Sequence, residues 1–182
     1  MTRIFRNTTA LSACAVLLTG CILVVPLSVV TNGAAALPAP GPAPASAGCA
    51  TPAGRQAMAD DLLSRVNAER RSAGHAPLRA DPRLATVAQG HACDNAARQV
   101  FSHSGSDGSD LRTRLRRGGY GYRTAAENTG LGFDGAPARL VAFWMGSPYH
   151  RANMLDRSLT EAGVGMADGP RPAWVMVFGR PR

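Results

Sequence analysis

The chain is 182 residues long, with 45% apolar and 18% charged residues. That fits one ordinary globular domain and excludes a chain disordered throughout. Its twenty basic residues are all arginine, and against twelve acids they give a formal charge of +8. The charge suits an acidic envelope surface, but dispersed arginines with little aromatic interleaving argue against nucleic acid as a partner.

Arg3 and Arg6 precede an almost wholly apolar run from Ala10 to Val30, and Ala34-Ala35-Ala36 offers a small-residue cleavage site. Residues 1–36 therefore read as a signal peptide. A run of this length could also span a bilayer as an anchor, and Leu18-Thr19-Gly20-Cys21 resembles a lipobox, which would make Cys21 a lipidation site on a cell-surface lipoprotein. Each version places the domain outside the cytoplasm, with membrane contact only through this leader. Loss of residues 1–36 removes two arginines and no acid, leaving +6. Residues 37–54 carry prolines at 38, 40, 42, 44 and 52 and read as a stiff Pro/Ala linker. The folded domain is then 55–182, and monomer is the default state.

Cys49 and Cys93 are the cysteines left after the leader. An even number in an oxidising compartment predicts a Cys49–Cys93 disulfide, stapling the end of the linker onto the domain. Met58, Leu62 and Val66 recur every four residues, so 55–73 reads as an amphipathic helix that Gly74 ends. Asp81 and Pro82 are N-cap and first-turn signals for a second helix reaching about Gln99, with Leu84, Val87, Ala88, His91 and Ala92 on one face.

After a Ser/Gly loop over 102–108, Ser109 is expected to cap a short helix that packs Leu111 and Leu115 and stops at Gly118-Gly119. Its four arginines, 112, 114, 116 and 117, read as a solvated face, with an anion-binding patch as the alternative. Residues 122–132 read as extended. Pro137 opens a fourth helix with Leu140, Val141 and Trp144 inward, broken at Ser147-Pro148. Two strands close the chain: 162–167, and 173–178 with Trp174, Met176 and Phe178 opposite Val175 and Val177. Asp168-Gly169-Pro170 turns between them. Helices first and locally paired strands last give an α+β class with a small antiparallel sheet.

Polar chemistry gathers in three places: Phe101-Ser102-His103-Ser104 past the second helix, Glu127-Asn128 in the extended segment, and Ser147-Pro148-Tyr149-His150 after the fourth helix. None of them alone identifies a site, and Glu127 could simply pair with an arginine. His91, on the packed helix face, and His75, in the turn after Gly74, read as structural.

The order of these pieces resembles the CAP domain, the family of cysteine-rich secretory proteins, antigen 5 and plant pathogenesis-related 1 proteins, and within it the bacterial secreted SCP-like branch. The resemblance rests on Val66-Asn67-Ala68-Glu69-Arg70, Pro77-Leu78, Asp81-Pro82-Arg83-Leu84, Phe101-Ser102-His103-Ser104-Gly105, Ala126-Glu127-Asn128, the run from Trp144 to Leu155, Gly163-Val164-Gly165 and the final Trp174–Phe178 strand. It implies an α–β–α sandwich with a small antiparallel sheet between helical layers and a cleft over the sheet. Animal and plant members line that cleft with two histidines and two glutamates. By motif the first three are His103, Glu127 and His150. The second glutamate falls at about Ser147 and is missing, and Tyr149 stands where a glycine usually precedes the second histidine.

The trio could form a His₂Glu site for zinc or another divalent cation, or an oriented acid–base group; Asn128, Ser147 and Tyr149 complete the expected cleft. Family members bind divalent cations at the two histidines, but no shared reaction links them. The leading expectation is a secreted or envelope-associated module binding a metal, a small ligand such as a lipid, or an envelope component, without turnover. The alternatives are a metal-dependent hydrolase of peptides or cell-wall polymers, and a structural domain whose trio braces loops.

Overall fold

The alternation of Ala173–Phe178 decides the architecture. In the computed structural model, which describes residues 49–182, strand β4 (Ala173–Pro181) buries both of its faces. Trp174, Met176 and Phe178 join one apolar cluster, and Ala173, Val175 and Val177 join another. A strand buried on both faces must lie between two layers. The expected signal peptide, anchor or Cys21 lipobox, and most of the linker, lie outside the described residues. No helix among the described residues is long and apolar enough to cross a membrane.

One layer holds α1 (Arg55–Ser72), α4 (Pro137–Gly146) and α5 (Pro148–Leu155); the other holds α2 (Pro82–Arg98) and α3 (Leu111–Arg117). The sheet between them runs β1 (Arg79–Ala80), β3 (Glu161–Ala167), β4, β2 (Tyr122–Leu131). β4 pairs antiparallel with both β3 and β2, whereas the two-residue β1 pairs parallel with β3. The sheet is thus antiparallel except at one short edge. The structure is the expected α–β–α sandwich.

Local signals explain most boundaries. Asp81 caps α2, accepting from the backbone N–H groups of Arg83 and Leu84. Gly74, at φ 72°, follows α1 in the left-handed conformation that glycine tolerates, while the N–H of His75 bonds back to the Arg70 carbonyl. Two expectations change. The cap of α3 is Asp110, whose carboxylate accepts from the N–H of Thr113, and not Ser109. Pro148 both stops α4 and opens α5, because proline at a first helical position lacks only an N–H that would be orphaned anyway.

Arg70 ties the first layer together. It is fully buried, and its guanidinium donates to the carbonyls of Ala76, Met154, Asp156 and Leu159. Asn67 reaches the backbone of Leu78 in both directions. On the second layer Cys49 and Cys93 form the expected disulfide. That bond fixes the described N-terminus to α2, and Ala50 accepts from the N–H of Asp168 beyond β3.

Candidate functional site

The site lies at the edge of the sheet, where β2 is the outer strand among the described residues. Glu127 and Asn128 are neighbours on β2, so their side chains leave opposite faces. Glu127 turns toward α2 and α3, where it meets His91 and Arg114. Asn128 turns toward α5, donating to the His150 carbonyl and accepting from Asn153.

The loop bearing His103 is held over this edge from below. Gln99 ends α2 at φ 52°, and His91 and Asn95 then both donate to the carbonyl of Ser102, each at 2.9 Å. Because that carbonyl can only accept, His91 Nε2 carries the proton and Nδ1 is a bare acceptor. Burial is the main cause holding the His91 pKa below its usual value. The neutral form is therefore the folded form, and stability is complete above the unfolded histidine value near ~6.5. As pH falls below it, the unfolded chain takes up a proton that folded His91 resists. We expect the melting temperature to drop between pH 7 and 5.5, with a smaller drop in His91→Gln; equal slopes would exclude this origin.

His103 Nδ1 lies 2.9 Å from Glu127 Oε1, and the imidazole is 57% exposed. A carboxylate only accepts, so Nδ1 donates, and in the neutral imidazole Nε2 is the nitrogen that keeps its lone pair. Glu127 itself is 6% exposed. Arg114 Nη2 reaches both of its oxygens, at 3.1 and 2.9 Å, and also the His103 carbonyl. Arg114 is thus buried structure, not part of a solvated face. Leu111, Arg114 and Leu115 have the i, i+3, i+4 spacing of a packed stripe, which is the signal for it in the sequence.

His150, the third residue of α5, sits among rings. Its centroid is 6.0 Å from Phe101, 5.8 Å from Phe143 and 6.5 Å from Trp144. Burial, then the neighbouring His103, lower its pKa, and its Nδ1 is buried without a partner. Phe101 and Phe143 are 49% and 44% exposed and pack edge to face. No local pattern in the chain announces this apolar rim. Ser147 forms the joint between α4 and α5, its carbonyl accepting from the N–H of Arg151. Tyr149, the second residue of α5, is 86% exposed. Among the described residues no three His, Cys, Asp or Glu side chains cluster as a metal-ion ligand set. His103 and Glu127 meet directly, Glu127 is occupied by Arg114, and His150 stands among Phe101, Phe143 and Trp144.

The sequence pattern of the cysteine-rich secretory protein family, CAP, matches residues 63–178. The chain belongs to the CAP family. Among its relatives is the uncharacterized protein YkwD of Bacillus subtilis, 30% identical over 117 residues that cover 64% of this chain and 45% of that protein. An extracellular protein containing an SCP domain from Bacillus anthracis has a solved structure with 28% identity and a TM-score of 0.64, covering 69% of this chain and 41% of that one. An outer surface protein of Borrelia burgdorferi, at 18% identity and a TM-score of 0.66 over 74% of this chain and 99% of that one, shares the fold. The chain spans less than half the length of YkwD and of the Bacillus anthracis protein.

Proposed function

We propose that this CAP domain is an exported, non-catalytic module whose sheet-edge cleft binds a divalent cation, zinc among them, through His103 and His150. The ligand it presents to that ion, a small molecule, lipid or envelope component, rests against Phe101 and Phe143. The observation that carries this reading is the contact between His103 Nδ1 and Glu127 Oε1. Glu127 holds a proton on Nδ1, so that the neutral ring offers the Nε2 lone pair to a metal, the usual support of a metal-bound histidine. The lowered pKa of His150 keeps a second imidazole in its ligating form. Glu127 fits as the group behind the ligand, since Arg114 already occupies its oxygens. A bound divalent ion would supply positive charge and open coordination positions for an anionic or carbonyl-bearing group. Export is supported by the apolar leader and by relatives described as extracellular or outer-surface proteins.

Calorimetric titration of the demetallated full chain with zinc, beside the His103→Ala/His150→Ala double variant, tests the reading. One-to-one binding at micromolar dissociation constant or tighter is expected, and at least tenfold weaker binding in the variant. Failure of the wild type to bind zinc or any other divalent ion rejects the cleft as a metal site.

The contact between His103 and Glu127 favours one second reading, a hydrolase of peptides or wall polymers in which His103 is an oriented base. Turnover of such a polymer that survives Glu127→Gln would dismiss that role.

A further inference from the structure

The fold gathers at one end of the sheet arginines that are dispersed along the chain. Across that end the register runs from Arg79 on β1 to Glu161 on β3, Gly179 on β4 and Ala125 on β2. One step further out Arg180 opposes Thr124, and Arg123 stands beside it where the register shifts. At a strand spacing of about 4.8 Å, the row from Arg79 to Arg123 spans about 15 Å. Two helices add to this row through Tyr120, which is buried. The Arg83 guanidinium of α2 lies 4.9 Å over the Tyr120 ring. Arg116, in the last turn of α3, stands beside it, since the N–H groups of Gly119 and Tyr120 bond back to the carbonyls of Arg116 and Leu115. Tyr120 itself donates to Glu161 and packs on Gly179.

The positive charges face solvent and the negative ones do not. The Arg79 and Arg83 side chains are 75% and 50% exposed, whereas their partners Glu161 and Asp81 are buried. Arg116, Arg123 and Arg180 are exposed and, among the described residues, make no ion pair. Five arginines against these two acids make up half of the domain's net charge of +6. Acids on the adjoining turns are engaged elsewhere. Asp156 acts on the buried Arg70, Asp107 pairs with Arg117, and Asp110 caps the far end of α3. Arg182 also reaches Tyr122 here, but its main-chain carboxylate offsets its side chain.

A row of outward cations repels itself, and a string of anions relieves that repulsion. Each guanidinium is a planar fork that takes two oxygens of one phosphate. The exposed large apolar side chains stand elsewhere: Phe101 and Phe143 pack around His150, and Tyr149 adjoins it in α5. This end therefore has nothing to insert into a bilayer and no exposed ring on which a nucleic-acid base could stack. From this row of exposed arginines we propose that the end of the sheet is a docking surface for a linear, phosphodiester-linked polymer of the cell envelope. The surface is separate from the cleft and does not depend on the metal reading.

Calorimetric titration of the full chain with a short poly(glycerol phosphate), with polygalacturonate and with dextran tests this. Saturable binding of the phosphate polymer is expected, with none of dextran, weakening at least tenfold between about 20 and about 300 mM salt. Arg123→Gln/Arg180→Gln removes two charges without stranding an acid. It should weaken that binding at least fivefold with an unchanged melting temperature. Arg139→Gln/Arg171→Gln, which removes the same charge from exposed positions outside the row, should stay within about twofold of wild type, the limit of an ordinary surface change. Four results would overturn the surface: no saturable binding of the phosphate polymer; equal or tighter binding of polygalacturonate, which would mean that charge alone is read; an equal loss in both double variants; or tighter binding to phosphatidylglycerol vesicles than to the polymer, lost in Arg123→Gln/Arg180→Gln, which would assign the row to a membrane.

Discussion

Replacing Arg114 by alanine is expected to destabilise the domain by about 3–5 kcal/mol, the range found when one partner of a buried ion pair is removed. Arg114 donates to both oxygens of Glu127 and to the carbonyls of His103 and Ser109. Its loss leaves a carboxylate that is almost fully buried and two carbonyls short of a donor. His103 leaves Glu127 a single hydrogen bond, from a ring that stands in solvent. Urea denaturation should show the full loss in Arg114→Ala. A double change to Arg114→Met and Glu127→Leu should cost much less than the two single changes summed, since no charge is then stranded. A cost under about 1 kcal/mol for Arg114→Ala would mean that water solvates Glu127 and that the pair is not truly buried.

This pair also marks where the sequence is legible and where it stops being so. Alternation in Ala173–Phe178 reads directly, because a period of two is fixed by strand geometry and both faces are apolar. The caps at Asp81 and Gly74 read directly because they are local. β1 does not: two exposed residues, Arg79 and Ala80, carry no pattern, and they become strand only because β3 lies beside them. α5 is masked by Pro148, which reads equally as a stop and as a start.

In the site, the meeting of His103 with Glu127 follows from family resemblance, while the role of Arg114 is a tertiary fact. Glu127 is thirteen residues along the chain, on another element. His91 reads as structural from its place on the packed face of α2, and it is so. Its partner is the loop that carries His103, which no helical periodicity announces.

Gly163→Ala is expected to be the other severe change. On β3, Ala162, Val164 and Met166 face the α1 and α4 layer, while Gly163 and Gly165 face α2. A Cβ on Gly163 would fall on the backbone nitrogen of Ala85, and one on Gly165 on the backbone of Ala88. Helix backbone cannot rotate aside as a side chain can, so α2 must move off the sheet. Overpacking costs about 1–3 kcal/mol where side chains can adjust, so a rigid obstacle argues for ~3 kcal/mol or more. Alanine's lower backbone entropy returns only about 0.5–1 kcal/mol of this.

The damage should reach the cleft as well. α2 carries His91 and Asn95, which hold the Ser102 carbonyl and with it the His103 loop. Gly163→Ala should therefore lower the urea midpoint and broaden the His103 ring resonance together. Gly146→Ala, at a helical position with nothing within 4 Å, is the control and should be neutral or slightly stabilising. If Gly163→Ala came within about 0.5 kcal/mol of wild type, the range of an ordinary surface change, the close contact of α2 with β3 could not be what positions the loop.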